Sequence, residues 1–339
     1  MLTLGIESSC DETSVAIVKD GREVLSNIIA SQIDVHKKYG GVVPEIASRK
    51  HVEAISQVID EAFTEANISY DDIDIICATR GPGLIGALLV GLSAGRTMAY
   101  ALDKPFVGVN HMMGHICANY ISNKELEPPF ICLVVSGGHT YLLDVKDYTE
   151  FKLIGRTLDD AAGEAYDKIS RVLGLGYPGG PEIEKAARDG KDIYDYPRVM
   201  INDGYDFSFS GLKTAVINHL HNLEQKNETY RIEDVAKSFQ DAVIDVLVEK
   251  TIRLTVERNL DKIVLSGGVS ANGELRRRME EAAKEHGYKV YYPEKILCTD
   301  NAAMIASAGY YDYKSGNYEN NVTAKPNLGL ENSWQNKNF

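Results

Sequence analysis

Apolar and polar positions change period several times along the chain, and each change marks an element. From Leu2 to Val18 an apolar run enters a polar turn, Ser8-Ser9-Cys10-Asp11-Glu12-Thr13, and resumes at Ser14, which predicts a strand, a tight turn and a returning strand. The plan recurs at Phe130, where Phe130-Ile131-Cys132-Leu133-Val134-Val135 enters the turn Ser136-Gly137-Gly138-His139-Thr140 and leaves as Tyr141-Leu142-Leu143. Elsewhere the period is helical: Ile46, Ile55, Ile59, Ala62 and Ala66 within 45–66, and Val243, Leu247 and Leu254 within 235–256. Strands at 73–80 and 105–109 flank an apolar helix ending at Leu102, and a further strand, 262–265, runs through Ser266-Gly267-Gly268-Val269-Ser270-Ala271-Asn272-Gly273 into a helix at 274–286. Strands alternating with helices predict an α/β fold.

Two hairpins of one design predict two halves. The Pro128-Pro129 pair ends whatever precedes it, so a first domain is expected over 1–129 and a second over 130–325. Residues 326–339, poor in apolar positions, read as an irregular tail. Gly86, Gly91, Gly95 and Arg96 interrupt the run from Leu84 to Leu102, so a buried helix is expected there and no membrane span. The N-terminus shows no basic segment followed by an apolar one, and the five cysteines, Cys10, Cys77, Cys117, Cys132 and Cys298, form no CxxC; a reducing cytoplasm fits both. Lys+Arg 36 against Asp+Glu 49, a net charge of -13, argues against gripping nucleic acid by bulk electrostatics, so a polyanionic partner must meet a local patch.

Three features carry candidate chemistry. In Asn110-His111-Met112-Met113-Gly114-His115 a helix stacks both imidazoles on one face, able to grip one metal ion, while Met112 stands where a zinc protease keeps its catalytic glutamate. Gly81-Pro82-Gly83-Leu84-Ile85-Gly86 is formally GxGxxG, but Asp103 precedes the next strand instead of ending it, so a close helix–strand turn is preferred to a dinucleotide site. The small residues of the Ser/Gly turns, Ser8 and Ser9 among them, let backbone N–H groups cradle phosphate oxygens. Asp300, before a helix expected at 301–308, reads by itself as an N-cap.

Several separate stretches carry a family resemblance: 5–13, 110–115, 134–140, Asp159-Asp160-Ala161-Ala162-Gly163-Glu164-Ala165-Tyr166-Asp167-Lys168, Tyr177-Pro178-Gly179-Gly180-Pro181, Phe207-Ser208-Phe209-Ser210-Gly211-Leu212-Lys213 and 266–272. In order and spacing the chain resembles, from about Leu2 to Leu330, the TsaD family, bacterial tRNA threonylcarbamoyladenosine synthases formerly called glycoproteases. The resemblance implies two duplicated actin-like ATPase (ribonuclease H-like) domains with adenylate or ATP in a cleft between them. It implies metal ligands His111, His115 and Asp300, a two-imidazole, one-carboxylate set associated with Fe2+ and open also to Zn2+. Implied substrate contacts are Val134, Val135, Ser136, Gly137, Gly138, Asp167, Gly180, Asn272 and Glu184, where some relatives place aspartate. Asp11 and Glu12 could assist proton removal.

The implied reaction moves threonylcarbamoyl from threonylcarbamoyl-AMP onto N6 of the adenosine beside the anticodon in tRNAs reading ANN codons, releasing AMP. Implied partners are tRNA, a TsaB-like paralogue and a TsaE-like ATPase. Alternatives are a small-molecule carbamoyltransferase or kinase of the same superfamily, a metal-dependent glycoprotease, and a noncatalytic actin-like scaffold.

Overall fold

The computed structural model describes residues 1–318 and 322–330. The chain divides into two compact units: Met1–Glu127, Tyr148–Glu150 and everything from Pro293 onward form one, and Pro128–Asp147 with Phe151–Tyr292 form the other.

The first unit runs β1 (Leu2–Glu7), β2 (Glu12–Lys19), β3 (Glu23–Ser31), α1 (Ile33–His36), α2 (Pro44–Ala66), β4 (Ile75–Gly81), α3 (Ile85–Leu102), β5 (Phe106–Asn110) and α4 (His111–Ser122). Its sheet has the order β3-β2-β1-β4-β5, with β1 antiparallel to β2 and parallel to β4. The second unit supplies β6 (Phe130–Val135), β7 (Thr140–Asp147), β8 (Glu150–Arg156), α5 (Ala162–Val172), α6 (Gly179–Ala187), α7 (Ser210–Gln225), α8 (Ile232–Arg258), β9 (Lys262–Ser266), α9 (Gly273–His286) and β10 (Lys289–Tyr291). Its sheet order, β10-β9-β6-β7-β8, repeats the first: a hairpin and an added antiparallel strand on one side, parallel strands on the other. The chain then re-enters the first unit as α10 (Lys295–Cys298) and α11 (Ala302–Lys314). The second unit thus ends at Tyr292 and not at 325, because β10 completes its sheet and the next apolar helix covers the other one.

Strand β1 reads as a nearly unbroken apolar run because both its faces are covered. A Cβ on Gly5 would lie 2.4 Å from Ala302 O on α11, while Ile6, on the opposite face, packs toward Gly91 and Gly95 of α3. Helix α3 has the length and apolarity of a membrane span; its Ala87, Leu88, Gly91, Leu92, Gly95 and Ala99 are buried in the unit's own core. The GxGxxG segment is a close turn. A Cβ at Gly81 would fall 1.9 Å from Lys325 O, and one at Gly83 2.6 Å from Ser9 O, so these glycines admit backbone. The described part of the expected tail is packed, since Gly83 N donates to Pro326 O at 3.0 Å and Leu328 and Leu330 are buried; just before it, Lys325 N donates to Arg80 O at 2.7 Å and Val322 is buried. The remainder of 326–339, from 331, lies outside the described residues.

Candidate active site

Helix α4 starts at the end of β5, where Asn110 Oδ1 accepts from Met112 N at 2.8 Å and fixes the first turn. That cap brings His111 and His115, one turn apart, to the same face, both buried. Asp300 arrives on the connection between α10 and α11. It does not cap α11: Asn301 does, its Oδ1 accepting from Met304 N at 3.1 Å, so the Asp300 carboxylate is free to turn elsewhere. It turns to the histidines, with Oδ1 3.3 Å from His111 Nε2 and 3.3 Å from His115 Nε2. One ligand atom from each of the three residues lies within 4.8 Å of the others.

A fourth residue organises this trio and was not expected from the sequence. Glu7, the last residue of β1, is fully buried, and its Oε2 accepts from His111 Nδ1 at 3.0 Å and from Thr79 Oγ1 at 2.6 Å. Its other oxygen accepts from Ser9 N. A carboxylate on Nδ1 keeps the proton there and leaves the Nε2 lone pair of His111 facing Asp300, the arrangement that orients a metal-binding imidazole. The signal in the sequence was a lone carboxylate ending an otherwise apolar strand. His115 Nδ1, by contrast, is buried with no hydrogen-bond partner among the described residues.

Among protein groups alone the countercharge is a proton. Burial works against charging His111, but Asp300 and Glu7 together raise its pKa well above the ordinary imidazole value. Despite their own burial, Asp300 and Glu7 are held below the usual carboxylate range by His111. Glu12 goes the other way, pushed up to about 10 by burial and by Asp300 and Asp11 nearby, with Ser31 Oγ donating to it at 3.2 Å.

Ser8 and Ser9, expected to line a phosphate turn, have hydroxyls directed inward. Ser8 Oγ donates to Ala87 O at 2.8 Å and accepts from Gly91 N at 3.1 Å, and Ser9 Oγ lies 3.2 Å from His111 Nδ1. They join β1 to α3 and to the histidine pair. The turn itself is braced by His51, which bonds Thr13 Oγ1 at 2.7 Å and Cys10 O at 2.9 Å.

The second unit gathers the other expected residues around the β6–β7 turn. Val134 and Val135 are buried as whole residues, with Val134 paired to Tyr141 and Ser266 and Val135 to Thr140 in the sheet. Ser136 Oγ accepts from His139 N at 3.2 Å and Ser136 N donates to His139 O at 2.8 Å, which leaves Gly137 and Gly138 at the tip, exposed and with open space where a Cβ would be. Asp167 Oδ1 accepts from Gly179 N at 2.6 Å and so ties α5 to the start of α6; it is not the freely solvated carboxylate its sequence position allowed. Glu184 accepts from Gly273 N at 3.3 Å. Asn272 caps α9 through Leu275 N and donates to Gln240 Oε1 at 2.9 Å, so its amide shapes the turn. Gly180 again has open space beside it.

A family model for TsaD, tRNA N6-adenosine threonylcarbamoyltransferase, matches residues 23–307. The chain belongs to the TsaD family. Among TsaD relatives, the tRNA N6-adenosine threonylcarbamoyltransferase of Caldicellulosiruptor bescii is 58% identical over 332 residues, 97% of this chain and 98% of that one. That of Clostridioides difficile is 56% identical over 333 residues, with 97% and 98% covered. The chain is therefore a transferase that modifies tRNA at adenosine N6. The TsaD fold is shared with proteins of much lower identity: full-length HypF matches at TM-score 0.61 and 15% identity over 94% of this chain and 56% of that one. Component A of the Acidaminococcus fermentans (R)-2-hydroxyglutaryl-CoA dehydratase matches at TM-score 0.55 and 15% identity over 93% and 99%. These likenesses bear out the duplicated actin-like α/β fold.

Proposed function

We propose that this TsaD chain takes threonylcarbamoyl-AMP as donor, acts on the adenosine next to the anticodon in tRNAs reading ANN codons, and holds one divalent cation, Fe2+, at His111, His115 and Asp300. The observation that carries the proposal is the convergence of two imidazole Nε2 atoms and one carboxylate oxygen from opposite ends of the sequence. The donor set fits a cation: Glu7 fixes one imidazole, and Glu7 with Asp300 supplies the negative charge that otherwise holds a proton on His111. A cation bound there would supply Lewis acidity.

In the transfer, adenine N6 attacks the carbamoyl carbon; a C–N bond forms, the C–O bond of the mixed anhydride breaks with its electron pair leaving on AMP, and N6 gives up one proton to solvent. The exocyclic amine is a weak nucleophile, so holding the two reactants together does much of the work. Backbone at Ser136, Gly137 and Gly138 receives the adenylate where no Cβ obstructs it, and the second oxygen of Asp167 is left for a ribose hydroxyl. Asp11 and Glu12 stand where β1 gives way to β2, and the proposal routes no step through either.

We further propose a cytoplasmic location and two helpers, a TsaB-like paralogue and a TsaE-like ATPase. The net charge of -13 supports shared tRNA binding, and the exposed apolar side chains Val52, Ile85 and Leu89 on the outer side of α2 and α3 support docking of a protein partner. The test is reconstitution of the chain and both helpers with threonylcarbamoyl-AMP labelled in its threonine and unmodified tRNA, with ATP present, followed by nucleoside analysis. Label in the modified adenosine, lost on His111→Ala, His115→Ala or Asp300→Ala, is expected. Label in a small-molecule acceptor, or an undiminished rate in all three variants, would refute it.

A further inference from the structure

Beside the β6–β7 turn the second unit holds a depression of about 370 Å3 lined by Gly138, His139, Tyr141, Arg156, Thr157 and Leu158. We propose that it holds an unstacked base and its phosphate from the single-stranded loop of the RNA substrate, next to the base that is modified. This inference rests on the tRNA-modifying reading above and assigns residues to it.

Four observations carry it. The His139 and Tyr141 rings lie 5.3 Å apart with planes 36° from each other, an aromatic wall of the sort on which bases of a loop stack. Arg156, the last residue of β8, lines the same depression; it is exposed and forms no ion pair with a carboxylate among the described residues. The acidic groups of the adjoining segment are already occupied: Asp159 accepts from Ser208 Oγ and from Phe209 N at 2.8 Å, and Asp160 pairs with Lys168 at 2.8 Å and Lys213 at 2.6 Å. In a chain of net charge -13, an exposed guanidinium beside two aromatic rings is a local exception of the kind a polyanion requires, with the nearby Asp206 carboxylate engaged by the Arg156 backbone N at 2.9 Å.

Third, the walls are fixed before any ligand arrives. Thr157 N donates to Thr140 O at 2.9 Å, Leu158 N to Phe207 O at 2.9 Å and Arg156 N to Asp206 Oδ1 at 2.9 Å, so the β8 end cannot swing away from the turn. Fourth, Leu158 is 59% exposed at the rim, an apolar edge suited to the face of a flipped-out base. The volume falls in the range of roughly 300–1,000 Å3 usual for ligand pockets and suits one nucleotide, not a duplex.

The test is kinetic, with the full chain in the reconstituted system that labels wild-type tRNA. Tyr141→Ala is expected to raise KM for tRNA about tenfold, as loss of one stacked base does, and Tyr141→Phe to restore it. Arg156→Gln is expected to raise KM for tRNA several-fold and to lower the slope of log affinity against log salt by about one ion. KM for threonylcarbamoyl-AMP should stay within twofold in both. Unchanged KM for tRNA in Tyr141→Ala and Arg156→Gln would overturn the inference while leaving the transferase reading intact; so would a parallel loss of donor affinity, which would assign the depression to the adenylate. Wild-type chain that labels no tRNA would instead sink the reading on which it rests.

Discussion

Replacing Glu7 with Gln is the sharpest probe of the proposed metal centre, because it leaves the shape of the site almost unchanged. Glu7 accepts three hydrogen bonds, from His111 Nδ1 at 3.0 Å, Thr79 Oγ1 at 2.6 Å and Ser9 N. A carboxamide has one accepting oxygen and turns an NH2 toward at least one of those donors. If the oxygen stays with Ser9, the NH2 faces both His111 and Thr79, and His111 must move its proton to Nε2, where it blocks the ligand lone pair. Loss of such an outer contact costs about 10- to 100-fold in metal affinity, or about 1.4–2.7 kcal/mol. The assay is competition for the metal against a chromophoric chelator, with denaturant unfolding in parallel. Expected are a drop of at least tenfold in affinity and a stability loss of about 1.5–3 kcal/mol from the broken charged hydrogen bond. Thr79→Val, which removes the other Oε2 partner and leaves His111 in place, should lower affinity far less. A folded Glu7→Gln protein that binds the metal within twofold of the wild type would refute the role given to Glu7.

Other outcomes follow from the same structure. Asn301→Ala removes the α11 cap and should cost about 1 kcal/mol in denaturant unfolding, with weaker metal binding because Asp300 adjoins the freed turn. Gly5→Ala places a Cβ 2.4 Å from Ala302 O and should destabilise by about 1–3 kcal/mol, seen as a lower Tm. Lys250, fully buried, donates to Asp203 O at 3.0 Å, Gly204 O at 3.3 Å and Asp206 O at 2.6 Å; Lys250→Met leaves those carbonyls without their donor and should cost about 3 kcal/mol. Burial and Arg253 push the Lys250 amine down to about 8. The unfolded value is about 10.4, so the unfolded chain binds the extra proton in between, and stability from this site rises as pH climbs through that window. Urea titrations at pH 8 and above should show that rise in the wild type and not in Lys250→Met.

Much of the architecture was legible because the chain changes period where the elements change. The two hairpins, the strand–turn–helix at 262–286 and α2 were readable from alternation and helical spacing, since each has at least one face committed to the core. Strand β3 left a weaker trace, as Ser26 and Asn27 interrupt its apolar positions, and the packed segment 322–330 left less still, being held by backbone bonds to Arg80 and Gly83 that no side-chain pattern encodes. At the site, the histidine spacing was visible at once, whereas Asp300 came only through family resemblance. Its sequence position suits an N-cap, and only the structure shows the neighbouring Asn301 taking that duty. Glu7 and the inward-facing Ser8 and Ser9 were illegible for a common reason: which way a short side chain points at a strand end depends on α3 and α4, not on its neighbours in sequence.

The late arrival of α11 has a consequence for synthesis on the ribosome. A nascent chain that has already made its first five strands still exposes the sheet face that Ala302 and Ala306 will cover, and it owns two imidazoles without their acidic companion. Chains released early would thus be left with an unsealed hydrophobic flank and two histidines without the carboxylate that faces them, which makes truncated products natural prey for proteases.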